Sequence, residues 1–238
     1  MYGTVRSSRR TLRWISVLAL AGSLTACEHT RDHVLFPDGS PVFSIMSFSE
    51  PLVLDPLPAG WYHRRFWRHG PMDISFAIKE GTPAIRLATS DTASMLFRHV
   101  DVPLDEYPIL SWRWFVEKGI ESELDELTLG GDDHPARFFI VLEAPDGEPH
   151  QMEIIWGNRS LGAGDYKNIG SFPHYVANGG RENLGQWHDE EVDLSEIYDE
   201  LWGDPVGVRM IDIALFCDSD ETGGDTVAYV AGVEVRYR

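Results

Sequence analysis

Cysteine and basic side chains are scarce in this chain of 238 residues. It contains two cysteines, and its 20 lysine and arginine residues stand against 38 acidic residues, which gives a formal net charge of -18. A surface that follows nucleic-acid phosphates would have to form against this negative field. No nucleic-acid partner is therefore expected.

Common catalytic motifs are also missing. The sequence has no Gly-x-Ser-x-Gly, His-Glu-x-x-His, Cys-x-x-Cys or Walker motif, so the chemistries that depend on these motifs are not indicated. What the chain does have is a hydrophobic content of 43%, which is ample for one sizeable core.

The first 26 residues have the layout of a bacterial export signal. They hold four arginines and no acidic residue, and the apolar stretch from Trp14 to Leu24 is too short to cross a hydrocarbon core of about 30 Å. The stretch ends in Leu24-Thr25-Ala26-Cys27, which resembles the bacterial lipobox, where the cysteine thiol becomes a thioether to diacylglycerol. Residues 1–26 are thus predicted to be a lipoprotein signal peptide, exported by the general route or, through Arg9 and Arg10, by the twin-arginine route.

Lipidation of Cys27 would leave no partner for a disulfide with Cys217, which is predicted to be a buried and inert thiol. It also makes acyl chains such as palmitate responsible for membrane attachment, because an acidic body is repelled by anionic headgroups. Glu28 follows in place of the aspartate that retains many lipoproteins in the inner membrane. The expected location is the cell envelope, with the outer membrane preferred.

The rest of the chain is patterned for β-structure. Residues 27–41 show no period and are predicted to be a lipid-anchored tether. From residue 42 the dominant period is two, so residues 42–238 are predicted to form one all-β domain, an antiparallel sandwich. One short helix is expected at Ser195–Trp202, capped by Asp193 or Ser195. The predicted strands are 42–48, 73–79, 84–90, 94–101, 108–117, 135–144, 150–157, 187–193, 207–217 and 226–237.

Two tryptophans stand out in the strand predicted over 108–117. Trp112 and Trp114 share its apolar face, so they are predicted to be core residues, with a platform for stacking sugar rings as the alternative.

Charged residues lie on the central predicted strands, on the faces opposite to the apolar ones. Arg113 and Arg137 lie on two strands that we expect to be neighbours, with Asp132 and Asp133 beside one of them and Glu153 on the next strand. Such a set forms either a structural ion network or an open face that binds sugar hydroxyls or uronate carboxylates.

The segment Asp218-x-Asp220-x-Thr222-Gly223 places oxygen donors at alternate positions around a glycine turn. This spacing suits Ca²⁺ and resembles the first half of an EF-hand loop, but Tyr229 stands where a glutamate would complete that loop. Two interpretations remain: a calcium site formed by Asp218, Asp220 and Thr222, or an acidic turn that caps a strand. No other cofactor is expected.

Six segments carry a family resemblance when taken in order. They are Trp61, Ala93-Ser94-Met95-Leu96, Pro108-Ile109-Leu110-Ser111-Trp112-Arg113-Trp114, Gly131-Asp132-Asp133-His134-Pro135-Ala136-Arg137, Gly185-Gln186-Trp187 and Asp218-Ser219-Asp220-Glu221-Thr222-Gly223. Together they resemble the domain-of-unknown-function family 3047, a group of bacterial and often exported proteins, over roughly residues 50–237. The resemblance implies a jelly-roll sandwich similar to carbohydrate-binding modules, and it implies no established activity.

The expected function is that of a lipid-anchored envelope protein that binds a carbohydrate or another envelope component through the charged face described above. One alternative is a polysaccharide lyase or glycoside hydrolase, with Glu153, Asp132 or His134 as acid or base. Another is a scaffold lipoprotein that binds no small ligand.

Overall fold

The computed structural model describes residues 32–48, 53–66 and 68–238. The predicted signal peptide, the predicted lipidation site Cys27 and the first part of the predicted tether lie outside the described residues. Within the described ranges, no helix has both the length and the apolar character needed to cross a membrane.

The described residues form thirteen strands, one α-helix and one short 3₁₀ turn at Leu129–Gly131. In chain order, the strands and helix are β1 (Val42–Met46), β2 (Tyr62–Arg65), β3 (Asp73–Lys79), β4 (Thr82–Ser90), β5 (Ser94–Pro103), β6 (Ile109–Lys118), β7 (Arg137–Glu143), β8 (Pro149–Gly157), β9 (Tyr166–Ile169), β10 (Phe172–Gly179), β11 (Trp187–Asp193), α1 (Leu194–Trp202), β12 (Arg209–Phe216) and β13 (Asp225–Arg236).

The strands form two sheets that pack as a sandwich. The six-stranded sheet has the order β11-β6-β13-β4-β3, with β1 also paired to β13. The seven-stranded sheet has the order β2-β5-β12-β7-β8-β10-β9. Neighbours are antiparallel except β8 and β10, which run parallel. The predicted all-β sandwich is therefore confirmed, with one parallel pair that the sequence pattern did not indicate.

Alternating apolar side chains of both sheets meet in the core. Trp112 of β6 lies edge-on to Phe138 of β7, with ring centroids 4.9 Å apart, and Trp114 lies 5.6 Å from Trp156 of β8. These aromatic rings join the two inner faces. The prediction that Trp112 and Trp114 are core residues is confirmed, since they are 2% and 0% exposed.

The single α-helix lies where the sequence predicted it. Asp193 is its N-cap, and the carboxylate of Asp193 accepts hydrogen bonds from the backbone N–H groups of Ser195 and Glu196 at 2.9 and 3.1 Å. These bonds satisfy two of the backbone donors that a helix start leaves free.

Three strands were missed from the sequence: β2, β9 and β10. Strand β2 reads Tyr-His-Arg-Arg and has no apolar alternation, while β9 and β10 place Lys167 and His174 at buried positions. A periodicity rule treats such polar residues as solvent-facing. Burial of their side chains is decided by contacts distant in sequence.

The described part of the predicted tether contacts the domain. Leu35 forms a β-bridge with Val100 of β5, and the hydroxyl of Tyr107 donates to the backbone oxygen of Ser40 at 3.0 Å. Residues 32–41 therefore extend the folded unit rather than standing apart from it.

Candidate functional site

One row of side chains crosses the outer face of the seven-stranded sheet, the face turned away from the core. Each member lies directly opposite the next on the neighbouring strand, so the row runs over all seven strands. In spatial order it reads Tyr62, Phe97, Ala214, Phe139, Glu153, His174 and Lys167. One end is therefore aromatic and the other is charged.

Arg137 is the centre of the charged end. It lies on β7, two residues before Phe139, and is 4% exposed. Its guanidinium donates to Asp218 from Nε at 2.9 Å and from Nη2 at 2.6 Å, and to Glu153 from Nη1 at 2.8 Å. Nη2 also donates to the backbone oxygen of Asp132. Burial opposes the charge of Arg137, but the surrounding carboxylates outweigh it and raise the pKa of the guanidinium.

Lys167 and His134 form a second part of the same network. The ammonium of Lys167 donates to Asp132 at 2.5 Å and to Nε2 of His134 at 2.7 Å. His134 in turn donates from Nδ1 to the backbone oxygen of Trp156 at 2.8 Å, so the ring is neutral with its proton on Nδ1. Burial and the nearby cations lower the pKa of His134 to about 4.

The pKa of His174 shifts in the opposite direction. Its Nε2 lies 3.3 Å from Glu153 and 3.6 Å from Asp132, while Nδ1 donates to the backbone oxygen of Phe172 at 3.0 Å. Burial opposes protonation, but the two carboxylates outweigh it and raise the pKa of His174. The name charged cluster is used below for Asp132, His134, Arg137, Glu153, Lys167, His174 and Asp218.

Residues 119–136, here called the covering loop, close over the charged cluster. Glu126 is its buried anchor: its carboxylate accepts from the backbone N–H groups of Asn158 and Arg159 at 2.8 and 3.1 Å, and its backbone oxygen accepts from Lys167 at 2.8 Å. Gly131 passes so close to the backbone of Asp125 that a side chain there would collide with it. The expectation of an open face around Arg137 is therefore wrong.

The catalytic alternative meets the same obstacle. His134 is 0% and Glu153 is 6% exposed, and their polar atoms are engaged in the bonds described above. Asp132 belongs to the covering loop, is held by Lys167 and keeps a side chain that is 13% exposed. A general acid or base must come within hydrogen-bond reach of its substrate, and the side chains of His134 and Glu153 have no such access in this conformation.

Arg113 lies on the other side of the molecule. Strand β6 belongs to the six-stranded sheet and β7 to the seven-stranded sheet, so the prediction that Arg113 and Arg137 occupy neighbouring strands is wrong. Arg113 pairs with Asp189 at 2.6 Å and stacks 5.0 Å from the ring centroid of Trp187. The other predicted binding residues, Arg137, Glu153, Asp132 and Asp133, do come together.

An acidic quartet borders the charged cluster. One carboxylate oxygen from each of its four members lies within 4.8 Å of the others, a group that could hold a metal ion; the members are Asp133, Asp218, Asp220 and Glu221. Thr222, predicted as a ligand, instead donates from its hydroxyl to Asp133 at 2.5 Å. Asp133 replaces it in the cluster, although it lies 85 positions before Asp218 in the chain. The predicted donors Asp218 and Asp220 do lie together.

Four rings on this face are partly exposed: Tyr62, Phe97 and Phe139 in the row, and Phe172 of β10 beside it. Tyr62 stacks on Phe97 with ring centroids 5.2 Å apart, and Phe139 stacks on Phe172 at 5.9 Å. Ala214 lies between the two pairs. Because Phe97 and Phe139 are two strands apart, their separation is about 10 Å. The name aromatic band is used below for Tyr62, Phe97, Phe139 and Phe172.

Most of the chain matches one known family. A family model described as a protein of unknown function (DUF3047) matches residues 59–234. The chain belongs to this family. The match confirms the resemblance inferred from the six sequence segments. No curated protein sequence matches the DUF3047 chain.

Solved structures with a similar fold include carbohydrate-binding proteins. A family 30 carbohydrate-binding module from a cellulosomal cellulase of Clostridium thermocellum has a TM-score of 0.44 and 10% identity, and the match covers 83% of this chain and 98% of the module. The xyloglucanase domain of NopAA from Sinorhizobium fredii, solved with cellobiose, has a TM-score of 0.37 and 10% identity, with 76% and 95% covered.

Sequence reasoning missed the aromatic band of this DUF3047 protein. Phe97 and Phe139 were placed in predicted strands, but Tyr62 and Phe172 fall in strands that were not predicted. A signal was available: Phe139 alternates with the core residues Phe138 and Ile140, so it had to face outwards. A single outward aromatic is normal on a protein surface, and only together with neighbouring rings does it form the apolar patch that marks a binding surface.

Proposed function

We propose that this DUF3047 protein is a lipid-anchored component of the cell envelope that binds a saccharide on the aromatic band. The observation that carries the proposal is the pair of partly exposed ring stacks, Tyr62 with Phe97 and Phe139 with Phe172, on the outer face of one sheet. Flat aromatic side chains offer apolar area with little conformational entropy to lose. The apolar C–H faces of sugar rings suit such surfaces.

The spacing of the band supports an oligosaccharide rather than a single sugar. The two stacks are separated by β12, whose residue in the row is Ala214. A ligand that contacts both stacks must therefore extend over about 10 Å. A chain of sugar units meets that requirement.

Polar side chains beside the band can pair with hydroxyl groups. The next row on the same face contains three polar residues and Val141; the polar ones are His99, Asp212 and Gln151. Nδ1 of His99 lies 2.5 Å from Asp212. Imidazole, carboxylate and amide groups can each serve sugar hydroxyls. The combination of apolar rings with a few polar groups is typical of small-ligand sites.

Substitution of Phe139 by leucine tests the proposal. Leucine keeps an apolar side chain but removes the flat ring, so an oligosaccharide that binds on the band should lose about fivefold in affinity, as expected for one aromatic contact. Ligands are found on an array of neutral and acidic oligosaccharides and then measured by calorimetric titration.

Trp187→Leu is the matched control, because Trp187 is also half-buried but lies on the outer face of the opposite sheet. The affinity of Trp187→Leu for the oligosaccharide should equal that of the wild type. Binding that is unchanged in both Phe139→Leu and Phe97→Leu, with both variants folded by circular dichroism, contradicts the proposal.

Membrane attachment through Cys27 is a separate part of the proposal. The motif Leu24-Thr25-Ala26-Cys27 and the acidic character of the remaining chain support it. Cells that express the protein and are fed labelled palmitate should incorporate the label into it, and Cys27→Ser should abolish incorporation. Cys217→Ser, the matched control, should keep the label. Labelling that persists in Cys27→Ser contradicts this attachment.

We also propose that the acidic quartet binds Ca²⁺. Four carboxylates that lie this close repel one another, and burial, together with a hydrogen bond that protonated Glu221 donates to Asp133, raises the pKa of Glu221 to about 10. Hard oxygen ligands favour Ca²⁺. At a calcium concentration 100 times the dissociation constant, binding should stabilise the fold by about 2.7 kcal/mol.

Thermal unfolding with calcium and with a chelator measures this effect. The midpoint should rise with calcium in the wild type and should not respond in Asp220→Asn. Asp225→Asn is the control, because Asp225 is exposed and lies outside the quartet. A wild-type midpoint that is the same with calcium and with chelator contradicts the site.

A further inference from the structure

A polar cleft lies beside the covering loop, apart from the aromatic band and next to the acidic quartet, since Thr222 lines it and donates to Asp133. Residues from three chain segments line its larger lobe, which has a volume of about 70 Å³, and a smaller lobe continues towards Thr222. A volume of this size holds several water molecules or part of one small ligand. The residues that line the larger lobe are Gly119, Ile120, Glu121, Trp156, Asn158, Gly180, Arg181 and Leu184.

Asn158 presents an acceptor that lacks a donor. Its Nδ2 donates to the backbone oxygen of Asp133 at 2.7 Å, and its backbone N–H donates to Glu126 at 2.8 Å. These bonds fix the orientation of the amide. Oδ1 is buried and has no hydrogen-bond partner among the described residues. A buried polar atom without a partner is costly, and the residue that carries this one borders both lobes.

Arg181 presents the complementary group. Its guanidinium is exposed and makes no hydrogen bond or ion pair with any described residue, and Arg181 lines both lobes. Arg159 lines the smaller lobe, where it pairs at 2.9 Å with Glu123, whose side chain is 92% exposed. An ion pair this exposed is weak and is easily exchanged. The cleft therefore offers a free planar donor and a second cation close to it.

We infer that this cleft binds a single uronate residue, a sugar that carries a carboxylate. The guanidinium of Arg181 would pair with the carboxylate, because its forked donors match two carboxylate oxygens. A ring hydroxyl would lie beside Asn158, and a small opening of the cleft wall would let it donate to the buried Oδ1. The walls formed by Ile120 and Leu184 give the sugar ring an apolar contact. A neutral sugar would supply the hydroxyl but leave Arg181 unpaired.

Titration of the full chain with glucuronate and with methyl glucoside tests the inference. Glucuronate should bind more tightly than methyl glucoside, and Arg181→Ala should lower the affinity for glucuronate about tenfold or more, as expected for a charge-assisted pair. Glu121→Gln should strengthen glucuronate binding, because it removes a like charge from the wall of the cleft. Arg181 is exposed and unpaired, so its removal does not threaten folding.

Two controls separate this site from the others. Arg65→Ala removes an exposed arginine on β2 and should not change glucuronate binding. Phe139→Leu alters the aromatic band and should also leave it unchanged, so failure of the proposed saccharide site and failure of the cleft give different results. Equal affinity for the two sugars, or glucuronate binding that survives Arg181→Ala, overturns the inference.

Discussion

Arg137 donates two hydrogen bonds to a single carboxylate oxygen of Asp218, from Nε at 2.9 Å and from Nη2 at 2.6 Å. The two residues are 81 positions apart, and both lie under the covering loop. This contact ties the start of β7 to the segment that follows β12. The arginine that the sequence pattern placed on a possible recognition surface is therefore part of the internal structure of the domain.

Removal of Arg137 should be strongly destabilising. Arg137→Met leaves several carboxylates buried without their main cation, and breaking a buried ion pair in this way typically costs about 3–5 kcal/mol of unfolding free energy. Urea unfolding measures the loss. Arg113→Met is the matched control, since the side chain of Arg113 is 39% exposed and its pair should contribute less than about 1 kcal/mol. Equal losses in the two variants would contradict the assignment of Arg137 to a buried network.

The two buried histidines should give the free energy of unfolding a maximum near neutral pH. The pKa of His134 is about 4 in the folded chain, whereas an unfolded histidine titrates near 6.5. Between these values only the unfolded chain binds the proton, so stability falls as the pH drops from about 6.5 to about 4. The slope from this group is at most about 1.4 kcal/mol per pH unit.

His174 acts in the other direction. Its raised pKa means that the folded chain keeps a proton that the unfolded chain releases above about pH 6.5. Its contribution is complete below that pH and is lost as the pH rises through the folded pKa. Urea unfolding from pH 4 to 9 measures both limbs of the stability curve, the fall below pH 6.5 and the fall above it.

Glutamine substitutions assign the two limbs. His134→Gln can still donate to the Trp156 carbonyl and accept from Lys167, so it should flatten the limb below pH 6.5. His174→Gln should flatten the limb above it. If the stability of His134→Gln still falls below pH 6.5 as in the wild type, and that of His174→Gln still falls above it, the assigned pKa shifts are wrong.

Cys217 should be unreactive in the folded protein. It is 0% exposed, and burial together with nearby Asp218 raises the pKa of its thiol, so little thiolate is present to react. In a Cys27→Ser background, a thiol reagent should modify Cys217 only after urea unfolds the chain. Rapid modification of the native protein would show that this part of the core opens.

Features that depend on neighbouring residues in the sequence were predicted well. The positions of ten strands follow from alternating polarity, because successive side chains of a strand point to opposite faces. Trp112 and Trp114 were assigned to the core for the same reason. The helix after β11 was predicted with Asp193 or Ser195 as its cap, because an N-cap satisfies donors only two and three residues away.

The site itself depended on contacts that no local pattern contains. Arg113 and Arg137 look alike in sequence, yet they lie in different sheets. Whether Arg137 is exposed depends on the path of the covering loop, and the charged cluster draws Lys167 and Asp218 from strands and loops far apart in the chain. Sequence by itself determined where strands form and which side chains face inwards, because both depend on near neighbours. Only tertiary structure decided which outward faces remain open, because that depends on how distant segments pack.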